Sequence, residues 1–187
     1  MKNLFLSFTA VFFITVSSAQ TKVGGVELPA TETYKNQKVM LNGSGVREKL
    51  WIDLYAAGLY LSEKSSDANA ILNADKPMAI KLHIVSKLIS SGKLVDAVTD
   101  GFEKSTGGNT APIQGEIDRM LGFLREDVAK NDIFDLVYLP SEGGVVAYKN
   151  GEEKVTLKGL DFKKALFGIW LSNRPADDGL KDDLLGK

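Results

Sequence analysis

Arg47 and Tyr55 are the two side chains of this sequence best suited to hold an anion beside an apolar core. A guanidinium offers a rigid fork of N–H donors matched to a carboxylate, and a phenol adds one more donor. Arg47 closes the segment Gly43-Ser44-Gly45-Val46-Arg47, and Tyr55 lies in Leu50–Leu61, a run in which only Asp53 is charged. Together they could grip the acidic head of a ligand while apolar walls take its tail. The spacing sets a condition. Eight residues of straight strand would hold the pair about 26 Å apart, at roughly 3.3 Å per residue, so the chain must turn or bulge near Glu48-Lys49 for them to meet. The alternative is a solvated arginine at a strand end and a core tyrosine with its hydroxyl satisfied elsewhere. Asp53 could also pair with Arg47 and compete with an anionic ligand.

Other chemistries find few residues to work with. The chain has no cysteine, which removes disulfides, thiolate catalysis and thiolate-bound metal. Its one histidine, His83, shares a strand face with Lys81 and Lys87, the company of a solvated residue rather than a general base or metal ligand. No carboxylates fall at metal-ligand spacing on an apolar face, and Gly43-Ser44-Gly45 lacks the third glycine and following helix of a dinucleotide fingerprint. Neither a metal nor a cofactor is expected. The formal charge is −1 with no basic stripe, so nucleic acid is not an expected partner.

The elements that must position Arg47 and Tyr55 read as follows. Gly43 and Gly45 predict a sharp bend, and Leu50–Leu61 predicts one long, doubly buried strand at the centre of a sheet. Short strands are expected over Val23–Leu28 and Lys38–Val46, with a polar turn at Thr33–Asn36 between them. Met78–Lys87 alternates as a strand, with Ile80, Leu82 and Ile84 on one face. Further strands are predicted at Phe134–Leu139, Val145–Lys149 and Lys154–Lys158, the last two joined by an Asn150-Gly151 hairpin turn. Ser65-Ser66-Asp67 can cap a short helix ending before Pro77. Two amphipathic helices should follow, one starting at Ser90-Ser91 and one with Thr110 as N-cap and a stripe from Ile113 to Val128. A helix capped by Asp161 and a short terminal helix starting at Asp177 or Asp178 complete the chain. Strands, helices, strands and helices in that order predict an α+β domain. A chain of 187 residues without repeats or linkers suits one such domain.

Gly43-Ser44-Gly45-Val46-Arg47, Leu54–Leu61 and the ending Leu160-Asp161-Phe162 through Gly168-Ile169-Trp170-Leu171 resemble the chalcone isomerase superfamily, in its bacterial chalcone isomerase-like branch. The resemblance implies an open-faced β-sandwich in which an antiparallel sheet is backed by helices. It implies either flavonoid ring closure, as in the plant enzymes, or fatty-acid binding, as in non-catalytic relatives. It places Arg47 at the ligand-site arginine, the residue that would be catalytic in an isomerase. Where the plant enzymes carry a strand threonine and a helical tyrosine and asparagine, this chain has Tyr55 and, near the helical pair, Lys93 and Asp100. Arginine with a strand tyrosine resembles the fatty-acid-binding relatives, so Arg47 and Tyr55 are the expected ligand-binding residues. A small amphipathic acid is the expected partner. An isomerase, or an envelope protein that binds a partner and fills its cavity with its own side chains, are the other readings.

Met1–Ala19 reads as a signal peptide, leaving residues 20–187 as the domain. Lys2 precedes an apolar run from Leu4 to Val16, and Ser17-Ser18-Ala19 sets small residues before a cleavage site at Gln20. The run is shorter than the roughly 20 residues that span a bilayer. A periplasmic or secreted protein with no transmembrane span after cleavage is therefore expected.

Overall fold

The computed structural model describes residues 20–187; the predicted signal peptide lies outside the described residues. Strands β1 (Gln20–Val23) and β2 (Val26–Pro29) form a small hairpin. Strands β3 (Thr31–Tyr34), β4 (Gln37–Lys49), β5 (Ile52–Leu61), β6 (Met78–Ile84), β7 (Ile133–Leu139), β8 (Gly144–Lys149) and β9 (Glu152–Lys158) follow one another in chain order across a seven-stranded antiparallel sheet. Among the described residues five helices, α1 (Ala68–Asn73), α2 (Ser91–Thr106), α3 (Gln114–Leu124), α4 (Leu160–Leu171) and α5 (Asp178–Leu184), complete the α+β fold.

Local chemistry accounts for most boundaries. Asp67 and Ser90 cap α1 and α2 by accepting from the N–H groups of Ala70 and Lys93, and Gly107 ends α2 in the left-handed region. Thr110 forms no capping bond. Pro112 sits instead in a short 3-10 turn, Ala111–Ile113, that leads into α3, and Val128 lies beyond the end of that helix. Asp161 is in the first turn of α4 and Gly159 occupies the N-cap. Of the two expected starts, Asp177 and Asp178, it is Asp177 that caps α5, accepting from the N–H of Leu180.

Four two-residue hairpin turns carry positive φ at both positions: Gly24-Gly25, Lys35-Asn36, Leu50-Trp51 and Asn150-Gly151. They correct three expectations. Val23–Leu28 is two strands rather than one, because Gly24-Gly25 reverses the chain. The polar turn is confined to Lys35-Asn36, since Thr31–Tyr34 pairs with β4. Leu50-Trp51 is a turn, so β5 begins at Ile52. Nothing in a leucine-tryptophan pair announces such a turn: non-glycine residues there cost roughly 1–2 kcal/mol each. Strand β6 stops at Ile84, three residues short of the expected Lys87.

The helix-facing side of the sheet holds the main core. Ala57, Leu59, Ile80, Leu82, Leu136 and Ala147 meet Phe102 of α2, Met120 of α3 and Phe162, Leu166 and Trp170 of α4. Helix α4 is buried on nearly every side. It therefore buries Lys163 completely, and the ammonium donates to the carbonyls of Ile71, Leu72 and Ala74 at 2.8–2.9 Å, closing the C-terminus of α1.

The other face carries Val39, Tyr60, Ala79, Val137 and Val146. There the sheet curls. Strand β3 lies four strands from β7, roughly 19 Å across a flat sheet at about 4.8 Å per strand. Yet the Tyr34 hydroxyl donates to Asp135 at 2.8 Å. Lys81 joins them, 2.8 Å from Asp135 and 3.0 Å from Glu32. Burial, then Asp135, pushes the Tyr34 phenol well above its ordinary value. His83 is half-buried on this side, and burial followed by Lys81 lowers its pKa. The curled sheet with helices on one face is the open-faced arrangement expected.

Candidate ligand-binding site

Arg47 and Tyr55 are register partners across β4 and β5. The Leu50-Trp51 turn converts an expected separation of about 26 Å into the roughly 5 Å between cross-strand neighbours. A bulge between Arg47 and Glu48 accompanies the turn. The required reversal thus falls two residues beyond Glu48.

A register shift between Leu41 and Gly43 interrupts β4 where the bend was expected, but the two glycines serve a further purpose. Gly43, Gly45 and Arg47 alternate along the interior of β4, on the face shared with Ala57 and Leu59 of β5. Neither glycine has positive φ. Both lack a side chain because α5 lies against them. A Cβ on Gly43 would stand 2.1 Å from the Asp183 carbonyl oxygen, and one on Gly45 would stand 2.3 Å from the Asp183 carboxylate. Asn42 fixes the same helix end by donating to the Leu184 carbonyl. The helix runs back along the strand, and its N-cap, Asp177, arrives at Arg47. The spacing Gly-x-Gly-x-Arg is therefore a track for α5, ending in an ion pair.

The partner of Arg47 is thus Asp177 and not Asp53, the carboxylate that could also have paired with it. Arg47 Nη1 donates to an Asp177 carboxylate oxygen and to the Glu48 carbonyl, while the other Asp177 oxygen holds the N–H of Leu180. Asp53 is exposed and faces Glu48 across the hairpin, so it is not the partner of Arg47. Arg47 and Asp177 are each about a quarter exposed, at 23% and 25%. Arg47 Nε and Nη2 have no hydrogen-bond partner among the described residues.

Tyr55 is oriented by α4. Trp170 Nε1–H donates to its hydroxyl oxygen at 3.1 Å. With the oxygen so engaged, the phenolic proton points elsewhere, and it has no acceptor among the described residues. Burial raises the phenol's pKa against the opposing pull of the Trp170 N–H and of Arg47, so Tyr55 is a donor at neutral pH. Trp170 was expected only to face inward; its role at the site was not legible from the sequence.

Both side chains line a cavity of about 600 Å³. Leu82, Ile84, Phe134 and Leu136 form its floor on the sheet, and Leu94, Val98, Met120, Leu124 and Ile169 roof it from the helices. Lys93 and Asp100, which the resemblance sets near the helical pair, line it as well, with Lys49, Asp96 and Lys104 as further charged groups. The volume lies within the roughly 300–1,000 Å³ typical of small-molecule pockets. An interior filled by its own side chains, one of the readings above, is not what this fold has. The arrangement suits an elongated apolar body whose polar end accepts hydrogen bonds. No helix among the described residues is long and apolar enough to cross a membrane.

Residues 20–186 match the family profile described as chalcone isomerase-like. A search of curated proteins gives no match. Among solved structures, the crystal structure of an Arabidopsis thaliana fatty-acid binding protein superposes with a TM-score of 0.68 at 18% identity, over 86% of this chain and 92% of that one. At that identity the likeness establishes the fold.

Proposed function

Since this chain belongs to the chalcone isomerase-like family, we propose that it is a binding protein for a fatty acid or a similar amphipathic carboxylic acid. The acyl chain occupies the cavity, and the carboxylate accepts from the free N–H groups of Arg47 and from the Tyr55 hydroxyl. One observation carries the reading: two directed, unused donor groups meet in a cavity whose floor and much of whose roof are apolar. The structural neighbour that binds fatty acid supports it. Asp177 tunes the site, because it already balances the Arg47 charge. An incoming carboxylate must share the guanidinium with it or displace it. The leader-like residues 1–19 support a periplasmic or secreted location, which N-terminal sequencing would test by finding Gln20 as the first residue of the mature protein.

Lipids extracted from protein purified without detergent test the reading. Mass spectrometry should find acidic, single-chain lipids near one per protein, and fewer with Arg47→Ala. Empty protein that also fails to take up added fatty acid would rule the reading out.

A further inference from the structure

Five large hydrophobic side chains are exposed among the described residues; three of them, Leu50, Ile52 and Leu88, line the cavity, and a fourth, Trp51, stands between Leu50 and Ile52 at the hairpin tip. Leu50 and Trp51 protrude furthest, at 76% and 90% exposed. Both have positive φ, 53° and 61°. Among the described residues, the three other two-residue hairpin turns are built from Gly24-Gly25, Lys35-Asn36 and Asn150-Gly151. A polar turn is thus readily made in this fold. Leu50-Trp51 instead sets bulky apolar groups where both backbone conformation and water disfavour them.

We propose that the Leu50-Trp51 hairpin tip is a wedge that enters the surface of a zwitterionic phospholipid bilayer and sets the cavity mouth against the lipid. The proposal rests on the cavity reading above, and it says where the ligand comes from: the acid passes between bilayer and cavity along an apolar wall. Leu50, Ile52 and Leu54 carry that wall inward from the tip, with Leu88 on the facing segment, and all four line the cavity. A two-residue protrusion offers far less than the roughly 800 Å² per partner of a stable protein interface. Tryptophan, apolar in body with a polar N–H, suits a membrane–water boundary. The surrounding charges are mixed. Exposed Lys49, Lys87 and Lys93 are matched by exposed Glu48, Asp53 and Asp96. Attachment is therefore apolar, and it requires no anionic lipid.

The test is flotation of the protein with phosphatidylcholine vesicles, with and without phosphatidylglycerol. Wild type should float with both at similar lipid concentration. Its tryptophan emission should shift to the blue, a signal from Trp51 because Trp170 is already buried. Trp51→Gly, which relieves the backbone conformation, should fold, bind palmitate in vesicle-free solution as wild type does, and need at least fivefold more lipid to float. Wild type that does not float, that floats only with phosphatidylglycerol, or that floats no better than Trp51→Gly would overturn the wedge. So would a concentration-dependent dimer abolished by Trp51→Gly, which would make the tip a contact between copies. Loss of palmitate binding with flotation intact would count against the cavity reading alone.

Discussion

Asp177 holds Arg47 with one carboxylate oxygen and the first turn of α5 with the other. The residue that could anchor a ligand is thereby tied to the helix that lies along β4, and the ligand's rival for the guanidinium is built into the fold.

The head-group contacts should be unequal. Arg47→Ala should weaken palmitate binding about tenfold more than Tyr55→Phe, because charged hydrogen bonds contribute roughly 1.5–3 kcal/mol and neutral ones about 0.5–1.5. Arg47→Lys should not restore it, since an ammonium lacks the planar fork. Calorimetry on the three variants, each checked for folding by circular dichroism, decides this; equal affinity for wild type and Arg47→Ala would put the carboxylate elsewhere.

Removing the rival should strengthen the site. Asp177→Asn keeps a side-chain oxygen to cap α5 but removes the negative charge facing Arg47. Palmitate should bind several-fold more tightly, whereas Asp53→Asn should change nothing because Asp53 is exposed and does not contact Arg47. An unchanged affinity in Asp177→Asn would show that the ligand head does not compete for the guanidinium.

The two glycines before Arg47 should be intolerant for a steric reason. Gly43→Ala would put a methyl 2.1 Å from the Asp183 carbonyl oxygen, forcing α5 away at a cost of about 1–3 kcal/mol or more, as for other overpacking changes. Gly122→Ala, in α3 with nothing within 4 Å of the added Cβ, should stabilise by about 0.5–1 kcal/mol. Denaturant titration of both variants measures the contrast; a tolerated Gly43→Ala would refute the account of the Gly-x-Gly-x-Arg spacing.

Ring closure should be absent. The resemblance to the plant enzymes puts Tyr55, here engaged with Trp170, at their strand threonine, and Lys93 and Asp100 on α2 near their helical tyrosine and asparagine. Cyclisation of a hydroxychalcone should therefore not exceed its spontaneous rate. Saturable turnover that vanishes in Arg47→Ala would make Arg47 catalytic and replace the binding reading with an isomerase.

Periodicity made the alternating strands and amphipathic helices readable, because burial on one face dictates the residue pattern. Ile80, Leu82 and Ile84 face the helices as their alternation implied, and Ser90 and Asp177 cap the helices they announced. What the pattern concealed was set by tertiary contact. Gly43 and Gly45 looked like a bend because glycine permits one, but their missing Cβ atoms serve a helix 140 residues away in the chain. Leu50-Trp51 looked like strand because its residues are apolar, and only pairing on both sides makes it a turn. Arg47 and Tyr55 could be singled out by type. Asp177 and Trp170 could not, since the contacts that make them part of the site bridge distances no local pattern spans.

The most direct test is calorimetric titration of palmitate into residues 20–187, compared with Val98→Trp, which fills the cavity from α2. Wild type should show one saturable site, with the negative heat-capacity change of apolar burial, and the folded Val98→Trp variant should lose it. A wild type that gives no saturable heat, or a Val98→Trp protein that binds equally well, would contradict the binding reading.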